Sequence, residues 1–252
     1  MKRLIVNADD LGYGHGVNAG VVRAHREGIV TAATLMTNAP GTEEAARLAA
    51  ATPRLDVGIH LVLTFGRPIL DPARVPSLVG PDGAFRRPRD VIGAGRARTD
   101  EALDEFRAQY ARGRGLLGRD PSHIDAHHWV EQDPAILEAF ATVARETGSA
   151  ARCLTPEIRD RLRAMGVRTT DVYRRDFQHD GHIDVASLLS VLASLGEGVT
   201  ELGCHPGEPD PDLAARSSYA RERPVELATL TDPAVMERIR ALGIELTTFA
   251  SL

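Results

Sequence analysis

Short runs of aliphatic and β-branched residues alternate with segments of helical period along almost the whole chain, and this alternation is its strongest structural constraint. The opening runs are residues 3–8, 29–38 and 56–63, and between them lie 13–28, where Val17, Val21, Val22 and Ala24 share one helical face before Gly28, and the Ala- and Glu-rich segment 41–51. Strand, helix, strand, helix, strand in this order requires parallel strands joined by helical crossovers. The pattern continues with helices over 99–117, 134–147, 156–165, 183–195 and 233–242, and strands over 122–127, 151–154, 167–173, 199–205 and 244–249. Seven to eight such units with no repeat or linker between them predict one α/β domain spanning 1–252, a closed or distorted β/α barrel of TIM-like type rather than an open sheet. Residues 64–98, with five prolines between Pro68 and Pro88, interrupt the alternation and read as one long excursion, either a lid beside a site or a decorated surface loop.

Several strands end in groups that carry chemistry. The first runs into Asp9-Asp10-Leu11-Gly12, the third contains His60, the fourth contains His123, Asp125 and His127, and another closes on His205 before Pro206. Strand alternation puts His123, Asp125 and His127 on one face and His128 on the other. Taken singly, Asp9 and Asp10 could belong to a turn and His60 could be a core histidine bound to a carbonyl. Taken together, four strands deliver Asp or His to their carboxyl ends, the end at which α/β folds build their sites. A carboxylate with two imidazoles is a mixed oxygen and nitrogen set suited to a catalytic divalent ion.

Composition removes other classes. A formal charge of -5 offers no basic field for nucleic acid. No stretch reaches the roughly 18 apolar residues needed to span a membrane, and the start carries no apolar run of signal length, so a cytoplasmic location is expected. Cys153 and Cys204 are the only cysteines and do not make a disulfide framework. With 4% aromatic residues, the core must be filled by Val, Leu, Ile and Ala.

The segments Leu-Ile-Val-Asn-Ala-Asp-Asp-Leu-Gly, Gly-Ile-Val-Thr-Ala-Ala-Thr-Leu-Met, Val-Gly-Ile-His-Leu-Val-Leu-Thr, His-Ile-Asp-Ala-His-His and Cys-His-Pro-Gly occur in this order between residues 3 and 249. They resemble the YdjC-like carbohydrate deacetylases, a family that includes chitooligosaccharide deacetylases and hopanoid-biosynthesis-associated deacetylases. The resemblance implies a distorted barrel related to the polysaccharide deacetylases and hydrolysis of an N-acetyl group on an amino sugar. It implies that Asp10, His60 and His127 hold one metal ion, magnesium by family habit although zinc suits two imidazoles better. Asp9 would be the general base, His205 the general acid, and Arg152 would orient Asp9; a homodimer is compatible with the family. His123 and Asp125 would lie behind His127 and fix its tautomer.

One departure stands out. Relatives commonly continue the histidine motif as His-His-His-Val-His, whereas this chain has His127-His128-Trp129-Val130-Glu131. Trp129, the only tryptophan, is then either a platform for a sugar ring or an apolar plug under a loop. Two other functions are compatible with the same residues: a sugar- or metal-binding barrel without turnover, and a metal-dependent esterase acting on another acyl substrate.

Overall fold

The computed structural model describes residues 1–179 and 181–252. Its first half follows the alternation closely, with β1 (Lys2–Leu11), α1 (His15–Glu27), β2 (Ala32–Met36), α2 (Thr42–Ala50) and β3 (Asp56–Leu61) in sequence. Then come α3 (Thr99–Leu117), β4 (His123–Ala126), α4 (Pro134–Thr147), β5 (Ala150–Ala151), α5 (Pro156–Ala164), β6 (Val172–Arg174), α6 (Val185–Ala193) and β7 (Gly198–Cys204). The chain finishes with α7 (Pro211–Arg216), α8 (Glu222–Leu230), α9 (Pro233–Ala241) and β8 (Glu245–Leu246). Local chemistry sets many of these boundaries. Asp133, Asp210 and Asp232 each cap the helix that follows and each precedes a proline at its first position. Such caps satisfy otherwise orphaned amides and contribute about 1 kcal/mol each.

Every ladder is parallel, in the order β5-β4-β3-β2-β1-β7-β6, with β8 added to the start of β1. The curled sheet comes round far enough for Ala151, on β5, to bridge Thr169, just ahead of β6. The result is the distorted, parallel α/β half-barrel implied by the alternation. Outside it, the helices pack on a core that includes Leu4, Val6, Ile59, Ile124 and Phe140, all fully buried.

The interior of the curl is different. Its lower end is plugged by Ile5, Ala32, Ala150, Val199 and Phe249. Above the plug the inward positions are polar, and Asn7, Asp9, Thr34, His60, His123, Asp125, Arg152 and Glu201 are all buried. Gly58 lets β3 and β4 approach, because a Cβ there would stand 2.4 Å from the His123 carbonyl oxygen.

The excursion over 64–98 is ordered and tied down. It carries short 3-10 turns at Pro72–Arg74 and Pro88–Asp90, and the buried Glu105 of α3 accepts from the amides of Ile69 and Leu70 at 2.8 and 3.0 Å. The tail differs from the expected strand over 244–249. It pairs only at Glu245 and Leu246, then turns so that the Phe249 ring stacks on His123 at 3.8 Å between centroids. Both cysteines are free and buried, and no described helix is long and apolar enough to cross a membrane.

Candidate metal centre and active site

At the carboxyl ends of β1, β3 and β4 the chain gathers Asp10, His60 and His127. Asp10 Oδ1 lies 3.0 Å from His127 Nδ1 and 3.3 Å from His60 Nε2, and the two ring nitrogens are 3.1 Å apart. His60 Nδ1 lies 2.7 Å from Asp125 Oδ1 and 3.2 Å from Thr34 Oγ1. A proton held on Nδ1 by Asp125 leaves Nε2 as a lone pair aimed at the other two donors. Asp10 Oδ1 is buried and has no hydrogen-bond partner. Three such atoms about 3 Å apart repel unless a cation lies between them, and ligands at right angles on bonds of about 2.1 Å have that spacing. The residues therefore fit a divalent ion.

Asp10 itself has φ of 67°, in the left-handed region that a non-glycine residue rarely enters. His128, Trp129 and His179 share this conformation, and all four positive-φ residues other than glycine among the described residues line one cavity. Strain concentrated in this way marks a functional site. It also corrects the placement of His128: positive φ at His128 and Trp129 ends the strand alternation, so both side chains border the cavity with His127. The cavity holds about 960 Å³, at the upper end of the range of small-molecule sites.

Beside the donor triangle runs a buried ionic network. Arg152 Nη1 and Nη2 donate to the two oxygens of Asp9 at 2.7 and 2.6 Å, Nε donates to Glu201 Oε1 at 2.7 Å, and Nη2 lies 3.0 Å from Asp125 Oδ2. Asn7 bridges Asp9 and Asp125 with its amide nitrogen, 3.1 Å from each. Burial opposes the charge on Asp9, but Arg152 outweighs it and brings the carboxyl down to about 2. Asp10 likewise stays ionised, since Arg223 and His127 overcome its burial and hold it well below the usual carboxylate range. Burial lowers the basicity of His60, yet Asp125 and Asp10 more than reverse this. Burial dominates at His205, taking it down to about 4, and at Glu131, raised to about 8.

His205 lines the same cavity, with Nε2 3.9 Å from Asp9 Oδ2. Asp125 supports His60 rather than His127, and His123 supports neither: its Nε2 meets Asn7 Oδ1 at 3.1 Å and its Nδ1 meets Ser122 Oγ. Trp129 is half-buried on the cavity wall, with the Arg175 guanidinium 5.0 Å from the ring centroid. Glu131 is fully buried, and neither carboxyl oxygen has a partner.

Sequence reasoning did not reach Asn7, Thr34 and Glu201, although each is a polar residue at an alternate position of an otherwise apolar strand. It also missed α8, which sends Arg223 onto Asp10 Oδ2 at 2.5 Å and Glu226 onto the His205 amide at 2.5 Å.

Comparison with known proteins follows the same lines. The family model described as YdjC-like protein matches residues 3–241. A carbohydrate deacetylase from Geobacillus stearothermophilus is 41% identical over 97% of this chain and 96% of its own length. A chitooligosaccharide deacetylase from Serratia marcescens is 36% identical over 100% of this chain and 99% of its own. Among solved structures, a putative cellobiose-phosphate cleavage protein from Enterococcus faecalis superposes with a TM-score of 0.92 at 35% identity, covering 99% of this chain and 98% of that one. A family 4 acetyl xylan esterase from Clostridium thermocellum, at 11% identity, shares the fold with a TM-score of 0.54, covering 99% of this chain and 89% of that one. Aligned with such relatives almost end to end, the chain belongs to the YdjC-like family.

Proposed function

We propose that this protein is a metal-dependent hydrolase that removes the N-acetyl group from an acetamido sugar or short oligosaccharide. The observation that carries the reading is the triangle of Asp10 Oδ1, His60 Nε2 and His127 Nδ1 beside the Arg152-held Asp9, all at the wall of one cavity. The names of the Geobacillus and Serratia relatives support the substrate class.

Asp10, His60 and His127 would hold the ion. When bound, a divalent ion there supplies a Lewis acid for the acyl oxygen and a nucleophile at neutral pH. The remaining work falls to the chain's own side chains. Asp9, kept ionised and fixed in orientation by Arg152, takes a proton from the attacking water. His205 starts neutral, because burial depresses its basicity, and it borders the cavity 3.9 Å from Asp9. It receives that proton through Nε2 and passes it to the nitrogen as the C–N bond breaks, so one proton leaves the water and one reaches the amine. Trp129 offers an apolar ring to a sugar. Arg87 and Arg216 on the cavity wall suit an anionic substituent on that sugar, in keeping with the phosphate in the description of the Enterococcus neighbour.

Family resemblance favours magnesium, whereas two imidazoles among three donors favour zinc. The deciding experiment is acetate release from N-acetylglucosamine and diacetylchitobiose by chelator-treated protein with magnesium, zinc, manganese or no metal restored. Acetate that appears only with metal, and disappears in Asp9→Asn while metal binding persists, is the expected result. Stoichiometric metal binding without acetate from either sugar would overturn the reading. An acetyl ester in the same series separates amide from ester hydrolysis.

A further inference from the structure

The motif that supplies His205 ends at Gly207, yet the environment of its ring is set by residues that follow that motif. His205 Nδ1 is buried without a hydrogen-bond partner, and the carboxylate beside it is that of Glu226, whose Oε1 lies 3.8 Å away. Glu226 is fully buried and held at both oxygens: Oε2 accepts from the His205 amide at 2.5 Å, and Oε1 accepts from the Tyr219 hydroxyl at 2.5 Å. The Tyr219 ring lines the cavity and meets the His205 imidazole edge-on at 5.3 Å. An ionised carboxyl has more acceptor sites than these two bonds use, and Oε1 faces Nδ1 from 3.8 Å.

We propose that Glu226 is a positioning residue for His205, accepting the proton of Nδ1 so that Nε2 is the atom turned toward Asp9 and the cavity. This deepens the hydrolase reading and rests on it for the role of His205. Tyr219 completes the arrangement by fixing the Glu226 rotamer from the cavity side. Other charged groups facing the imidazole are Asp9 and Asp10 from β1, Arg152 after β5, and Arg223 one turn before Glu226 on α8.

The test is nuclear magnetic resonance of ¹⁵N-histidine-labelled full chain, in which the two ring nitrogens report the tautomer, with His205→Gln to assign the signal. The unmodified protein should show His205 protonated on Nδ1. In Glu226→Gln the amide oxygen can still accept from the His205 main chain, but its NH₂ then faces Nδ1 and should move the proton to Nε2. In the same variant kcat should fall about tenfold or more with KM within twofold, whereas a purely structural role would leave the tautomer unchanged. Should Glu226→Gln fail to fold, Tyr219→Phe frees Oε1 to close on Nδ1 and should move the Nδ1 signal in the opposite sense. An unchanged tautomer in Glu226→Gln, or an unmoved Nδ1 signal in Tyr219→Phe, would overturn the proposal. Because the tautomer is read without turnover, an unmodified protein that releases no acetate would defeat the deacetylase reading while the Glu226 assignment still stood or fell on the spectrum.

Discussion

Arg152→Met is the most informative single perturbation of this site, because one fully buried guanidinium contacts three carboxylates, those of Asp9, Asp125 and Glu201. Methionine matches much of the volume but none of the charge. Asp9 alone is brought from 3.8 to about 2 in the fold, which is on the order of 2 kcal/mol of stabilisation at neutral pH. Breaking a buried ion pair on one side costs about 3–5 kcal/mol. For a chain of this size that becomes a loss of roughly 6–20 °C in Tm. The pH dependence has a definite sign. A carboxyl lowered by folding, such as Asp9, adds stability above its unfolded pKa and loses it as the pH falls toward about 2. A carboxyl raised by folding, such as Glu201 at about 7, is stabilising below its unfolded pKa near 4.5, and that contribution is lost as the pH rises through 7. Without Arg152 both carboxyls lose their main opposition to burial, so the deficit relative to the unmodified protein should be largest at pH 8 and shrink toward pH 5. Thermal unfolding at pH 5, 6.5 and 8 measures this. A Tm deficit below about 3 °C, or one equal at pH 5 and pH 8, would refute the reasoning.

Three further outcomes are expected. Asp125→Asn keeps an oxygen for His60 Nδ1 but removes the charge behind it, so titration calorimetry should show metal affinity reduced about 10- to 100-fold; unchanged affinity would separate Asp125 from the metal site. Trp129→Ala should raise KM for diacetylchitobiose by roughly fivefold, about 1 kcal/mol, with kcat within twofold, whereas a loss of Tm without a change in KM would make Trp129 a plug. Gly58→Ala drives a methyl into the His123 carbonyl and ring, with contacts of 2.4 and 2.6 Å, and should cost about 1–3 kcal/mol in urea unfolding; a neutral effect would mean that β3 and β4 can separate freely.

Those parts of the site that lie at strand ends could be read from residue order. A strand has a side-chain period of two, so an apolar run that breaks at Asp9, His60, His127 or His205 announces both its direction and its terminus. What could not be read is the traffic between elements. Asp125 was legible as an inward residue of β4, but its pairing with His60 depends on a ladder register of β3 against β4, which arises between residues 65 apart. His128 fell on the wrong side because left-handed backbone at His128 and Trp129 breaks the period, and only glycine announces such a conformation in sequence.

The helix α8 shows most clearly why a site can be larger than its motifs. Its sequence, Glu-Arg-Pro-Val-Glu-Leu-Ala-Thr-Leu, reads as an ordinary charged surface segment, since Arg and Glu are rarely buried. Yet Arg223 and Glu226 are three residues apart and so share one helical face, and that face covers the top of the curl. There each finds a partner that needs it: Arg223 takes the Asp10 oxygen turned away from His60 and His127, and Glu226 takes the His205 amide. Two charges that would each be costly alone in the interior become affordable because β1 and β7 already present their complements. The same helix therefore steadies Asp10 and His205, the metal ligand and proton donor proposed above. A substitution that tilts α8 should consequently disturb metal affinity and turnover together, where a change confined to the strand ends would separate them.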